Sequence, residues 1–116
     1  MTEDLARRAV ASPHWRWMPG MLSLPPQADR CQRDGQMMVG RLPDLTDPAT
    51  LGCVLALVRE AWNQPHTAAA MSGFGWGVYT FVTNGVVGDE PTITGRYDNG
   101  YDTEAEALVA ALEAAP

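Results

Sequence analysis

The sequence predicts an α+β fold: an antiparallel sheet of about four strands packed with three helices, in the order α-β-β-α-β-β-α, as a single sandwich domain over residues 1–116. Two observations carry this. Three stretches have helical periodicity with recognisable caps, and both gaps between them hold strand-like runs joined by Asp-Gly or Asn-Gly, the dipeptides of tight hairpins. A chain of 116 residues buries roughly two thirds of its unfolded surface, enough for one modest core.

The first helix is expected at about Glu3–Ser12. Thr2 offers an N-cap, Glu3 and Asp4 sit at the positive end of the helix dipole, and Arg7 and Arg8 follow in later turns. Leu5, Ala9 and Val10 make a narrow apolar stripe, and Pro13 disfavours helical geometry at the residue before it. Next comes "HWRWMPGM", His14 to Met21. Trp15 and Trp17, two apart, share one side of an extended segment, while Arg16 points to the other. Pro19-Gly20 then turns the chain. The segment reads as the corner of a small core. Tryptophan and arginine are also enriched at binding hot spots, so it doubles as a candidate contact surface.

Asp34-Gly35 is expected to join a strand at Arg30–Arg33 to one at Gln36–Arg41. The second helix has Asp47 as N-cap and Pro48 in the first helical position, where the missing N–H costs nothing. Leu51, Val54, Leu55, Val58 and Trp62 give its buried face, widened by Leu57 and Ala61, and it ends near Trp62 or Asn63. Residues 63–75 read as a flexible loop. The strongest strand is Trp76–Thr83, followed by an Asn84-Gly85 turn and a return at Thr92–Tyr97. The glycines of "GFGWG" enter this strand, so they point to close backbone approach or a bulge, and not to a dinucleotide fingerprint. The third helix opens with a capping box, Thr103 and Glu106. It buries Ala105, Leu108, Val109 and Leu112 and turns Glu104, Glu106 and Glu113 to water.

The net charge of −6 argues against generic nucleic-acid binding. Its distribution is uneven: residues 1–41 carry +2 and residues 42–116 carry −8, which permits self-association into a homo-oligomer. Every basic residue is arginine, most simply the mark of a GC-rich coding sequence. No apolar run reaches the roughly 18 residues that span a bilayer, so no membrane partner is expected. The N-terminal stretch has neither the apolar centre nor the cleavage site of a signal peptide. Cys31 and Cys53 are expected as free thiols in a reducing compartment, Cys53 on a buried helix face and Cys31 on an exposed hairpin.

His14, Cys31, Cys53 and His66 lack the close pairing of zinc ligands, so no metal and no other cofactor is expected. No Walker loop, nucleophile elbow or His-Glu-x-x-His is present, and no catalytic residue is assigned. The acids Asp89, Glu90, Asp98, Asp102, Glu104 and Glu106 are dense. They suit a solvated turn and a helix start, and secondarily a divalent cation or the imitation of nucleic-acid phosphates.

Three stretches, "DLARRAVASPHWRWMPGM", "LPDLTDPATLGCVLALVREAW" and "YDTEAEALVAALEAAP", resemble small uncharacterised phage and prophage proteins. The layout is similar to the phage ABA sandwich domain, with a Trp-bearing N-terminal helix, an Asp-led central helix ending in Trp, a hairpin and an alanine-rich last helix. The resemblance implies an accessory role in the bacterial host cytoplasm and offers no catalytic residues to carry over.

The function expected is therefore a non-enzymatic protein-interaction module whose partner is a host or phage protein. Its contact residues are Trp15, Arg16 and Trp17 on the basic side and Asp98, Asp102, Glu104 and Glu106 on the acidic side. One alternative is a small metal-dependent enzyme using the acid cluster with His14 or His66. The other is a nucleic-acid binder using Arg7, Arg8, Arg16, Arg30, Arg33 and Arg41.

Overall fold

Three helices form in the computed structural model, which describes residues 2–72, 75–80, 92–94 and 100–116. Helix α1 (Thr2–Ala11) starts at Thr2 itself, so Thr2 is its first residue and not the expected N-cap, and it ends at Ala11, one residue before the expected Ser12 and short of Pro13. Its fully buried line is Ala6 and Ala9, with Leu5 only partly buried, because small side chains let α1 lie close against the last helix. Helix α2 (Pro48–Trp62) is capped by Asp47, whose carboxylate accepts from the Thr50 backbone N–H. Asn63 closes it in the left-handed conformation, its N–H returning to the Glu60 carbonyl.

The sheet is antiparallel, with three strands in the order β1-β2-β3 among the described residues. Strand β1 (Thr67–Ser72) pairs with β2 (Gly75–Thr80) from Thr67 opposite Thr80 to Ser72 opposite Gly75. Strand β3 (Thr92–Thr94) lies on the other side of β2, with a register shift at Val78 and Tyr79. Beyond β3, Tyr101 exchanges both backbone hydrogen bonds with Trp76, at 2.7 and 2.9 Å. Gly75 permits that approach: its φ is +113°, and a Cβ there would stand 2.7 Å from the Tyr101 carbonyl oxygen. The Asn84-Gly85 turn falls outside the described residues, as do the ends of the two expected strands at 81–83 and 95–97.

Two expectations are corrected. The first hairpin does not form strands. Residues 30 and 31 pair backwards, not forwards across Asp34-Gly35: Cys31 N–H donates to the Met21 carbonyl and Gly20 N–H to the Cys31 carbonyl. The segment 22–24 then meets 42–44 on its other side, through Leu24 N–H to Leu42 and Asp44 N–H to Leu22. The turn at Asp34-Gly35 survives as a tight loop, with Gly35 at φ +72° donating to the Trp17 carbonyl. The second correction is β1 itself, where a flexible loop was expected. Its alanines have little intrinsic strand preference, and pairing with β2 overrides that. The element order is thus α-α-β-β-β-α among the described residues.

Helix α3 (Glu104–Ala114) is the centre of the core. The stripe Ala105, Leu108, Val109 and Leu112 is buried as expected, and Ala107 and Ala111 are buried too. Six buried positions leave little of α3 for solvent, because α1, α2 and the sheet all pack against it. Thr103 caps it by accepting from the Glu106 N–H at 3.1 Å. At its other end the Trp62 indole N–H donates to the Ala111 carbonyl at 2.8 Å, satisfying one of the last four carbonyls, which a helix leaves without an internal partner. No helix among the described residues is long and apolar enough to cross a membrane.

Candidate functional site

The tryptophan corner comes first. Trp15 and Trp17 stand edge to face, with centroids 5.7 Å apart and planes at 85°. Trp17 is 8% exposed and belongs to the core; Trp15 packs against that core half-buried. The Trp15 indole N–H is buried with no hydrogen-bond partner among the described residues. Arg16 turns away from the rings, as alternation requires, and is held by two acids: its Nε donates to Asp34 at 2.8 Å and its terminal nitrogens straddle the Glu60 carboxylate. These contacts, Glu60 first, raise the Arg16 pKa, and Arg16 in turn lowers that of Glu60. The corner is therefore largely used up inside the protein.

The other arginines are similarly engaged. Arg7 pairs with Glu3, Arg8 with Glu113, Arg30 with Asp47 and Arg41 with Asp29. Of the six arginines in residues 1–41, Arg33 alone forms no ion pair among the described residues.

The acidic residues divide. Asp102 is exposed and Glu104 and Glu106 are half-buried around the start of α3, and none of the three forms an ion pair among the described residues. Asp98, Asp89 and Glu90 lie outside the described residues. His14 is half-buried in a small recess with Glu60, and His66 is exposed. No group of three His, Cys, Asp or Glu among the described residues is placed to hold a metal ion. Glu106 lines a cavity of about 340 Å³ with Asp4, Leu5, Arg8, Leu45, Thr103 and Ala105, of which Leu45 and Ala105 are buried and Asp4 is exposed.

The feature that sequence reasoning missed lies in the loop after Asp34-Gly35. Met37 is 82% exposed and Val39 78%, on alternate residues, while Met38 between them packs partly against the core. Beside them runs a second cavity of about 540 Å³, whose other wall is polar: Asp29, Arg30, Gln32, Gln36 and Arg41. The loop is built firmly at its base. The Gln36 side-chain oxygen accepts from the Gln32 and Arg33 backbone N–H groups, and the Cys31 thiol donates to the Arg33 carbonyl. Arg41 N–H closes the far side onto the Met38 carbonyl. The signal was in the sequence, since "QMMVG" has too many apolar residues for a surface turn, but the expected strand absorbed them.

The cysteines exchange their expected places. Cys31 is buried at 2% exposure because its segment pairs with Met21, whereas Cys53 is half-buried beside the Pro19-Gly20 turn, donating to the Pro19 carbonyl. Burial pushes the Cys53 thiol pKa up.

In comparisons with protein-family models, with curated proteins and with solved structures, nothing matches this chain.

Proposed function

We propose that the protein is a non-enzymatic protein-interaction module and that the ledge formed by Met37 and Val39 is its main contact surface. The observation that carries this is the exposure of two large apolar side chains, side by side on a loop whose base is tied down by hydrogen bonds. Burying apolar surface of this kind is the main favourable contribution to association. Methionine adapts its shape to a partner better than a branched side chain does. Arg30 and Arg41 line the cavity beside the ledge, each paired with an acid, and Arg33 precedes the ledge in the chain; the combination of apolar anchors with arginine suits a protein partner. The acids Asp102, Glu104 and Glu106 form a second, subordinate surface. Trp15, Arg16 and Trp17 shape the corner from which the loop springs, through the Arg16–Asp34 pair and the Trp17 carbonyl. An accessory role in a bacterial host rests on the three stretches that resemble phage proteins.

The test compares the wild-type chain with a Met37→Asp, Val39→Asp double variant in pull-downs from bacterial lysate, each read by quantitative mass spectrometry. A partner held near stoichiometry by the wild type and lost by a variant of unchanged melting temperature is the expected result. A partner retained by the variant overturns the assignment of the ledge.

A further inference from the structure

We infer that one occupant of the ledge is a second copy of this chain, which receives Met37, Val39 and Arg33 in the acid-lined cavity between α1 and α3. The inference rests on the reading of the ledge as a contact surface and names what covers it.

The two surfaces complement each other in shape and in charge. The ledge projects two apolar side chains, with Arg33 two residues before the turn's exit and free of any ion pair among the described residues. The cavity is concave, at about 340 Å³ large enough for a methionine or arginine side chain. Its lining holds buried Leu45 and Ala105 and half-buried Leu5, with Asp4 exposed and Glu106 half-buried beside them. Neither acid forms an ion pair among the described residues, and the one cation in the lining, Arg8, is already taken by both oxygens of Glu113. A cation from outside therefore meets two carboxylates without an ion-pair partner among the described residues, Glu106 lying within the field of Arg8, and Asp102 and Glu104 stand close by in the sequence. Met37 entering the cavity covers Leu5 and Leu45 while Arg33 reaches the lining acids.

The contact joins unlike surfaces, so after the first contact forms one copy keeps an unused cavity and the other an unused ledge. That asymmetry supplies the test. Sedimentation velocity of the full chain is measured from about 10 µM to about 1 mM, a range that covers weak self-association, and at about 0.01 M and about 1 M salt, which brackets strong and weak screening. The ledge variant carries Met37→Asp and Val39→Asp. One cavity variant carries Asp4→Asn and Glu106→Gln, which keeps the Thr103 cap, since glutamine serves at that position. A second carries Thr46→Trp, blocking the mouth from an exposed lining position.

The wild type is expected to gain mass with concentration, less so at high salt, and each variant to associate at least about tenfold more weakly. An equal mixture of ledge and cavity variants is expected to recover a two-chain species, because each supplies the half that the other lacks. A wild type that stays monomeric throughout overturns the inference, as does association that the variants leave intact, or a mixture that fails to recover it. Failure here is separable from failure of the ledge itself: a monomeric wild type whose lysate partner still depends on Met37 and Val39 removes only the second copy as occupant.

Discussion

Arg16 and Glu60 lie 44 residues apart, yet the guanidinium of one grips both oxygens of the other, at 2.5 and 3.2 Å. The pair fastens the tryptophan corner to the last turn of α2, and Asp34 on the same guanidinium fastens the next loop. Both acids are largely exposed, so the coupling is that of a surface pair with good geometry, about 0.5–1 kcal/mol. A double-mutant cycle with Arg16→Ala and Glu60→Ala in urea denaturation is expected to show it. Because Arg16 lowers the Glu60 pKa, this stability is present above the ordinary glutamate range and fades as pH falls through the lowered value. The coupling is therefore expected to persist at pH 7 and to be lost on acidification only as the pH falls below the ordinary glutamate range. A coupling independent of pH would rule out Glu60 as its source.

The two tryptophans differ in what they cost to remove. Trp17 fills core space, and Trp17→Ala is expected to destabilise by about 3–5 kcal/mol. Trp15 is less buried and holds an indole N–H away from water without a partner, a penalty of about 1–3 kcal/mol that phenylalanine would not incur. Trp15→Phe is therefore expected to cost clearly less than Trp17→Phe, and denaturant midpoints for the two variants decide it. Equal losses would mean that the Trp15 nitrogen finds water in solution.

Local chemistry made the helices legible and long-range pairing hid the rest. Asp47 with Pro48 and Thr103 with Glu106 are instructions complete within four residues: Asp47 caps as read, and Thr103 caps through its hydroxyl, the outward half of the expected box. The corner of two tryptophans was legible for the same reason, since alternation alone puts the rings on one side. What decides Arg30–Arg41 is different. Cys31 can pair with Gln36–Arg41 ahead or with Met21 behind, and local sequence favours the first while the folded chain makes the second. That single choice buries Cys31 and leaves Met37 and Val39 outside. Likewise Thr67–Ser72 is a strand only because β2 lies beside it.

Thr50 joins α2 to the loop that precedes it. Its hydroxyl donates to Asp47 and accepts from the Leu22 backbone N–H, both at 2.9 Å, and the residue is fully buried. Valine keeps the shape and loses both bonds, leaving the Leu22 N–H without a partner. Thr50→Val is expected to cost about 1–3 kcal/mol. Thr50→Ser retains the hydroxyl and is expected to cost less than valine does. Thermal melts of the two variants test the order, and a harmless valine would show that the Leu22 N–H is satisfied elsewhere.

Gly75 stands where the backbone of Tyr101 comes within bonding distance of β2. Its positive φ and the 2.7 Å approach to the Tyr101 oxygen act together, and the obstructing atom is backbone, which cannot swing aside as a side chain would. Gly75→Ala is expected to destabilise by more than about 1 kcal/mol, beyond the usual effect of the chain-entropy gain. Gly52, in α2 with open space around its Cβ position, supplies the control. There alanine is expected to stabilise by about 0.5–1 kcal/mol. Opposite signs at the two glycines, read from the same denaturation experiment, separate steric obstruction from propensity.

The thiols give a test of the reversed burial. Cys53 is half-buried at the surface of α2, and Cys31 is enclosed by the segment that pairs with Met21. A thiol reagent of ordinary size added to the folded chain is expected to label Cys53 alone, with Cys31 reacting only after denaturation. Because burial raises the Cys53 pKa, its thiolate fraction near pH 8 is below that of an unperturbed cysteine. Its labelling is therefore expected to be slower than that of a free thiol at pH 8 and to keep accelerating above the ordinary thiol range, about pH 8.5. Peptide mapping after labelling identifies the site. Prompt modification of Cys31 in the folded state would mean that the segment carrying it opens from Met21, and would loosen the base on which Met37 and Val39 stand.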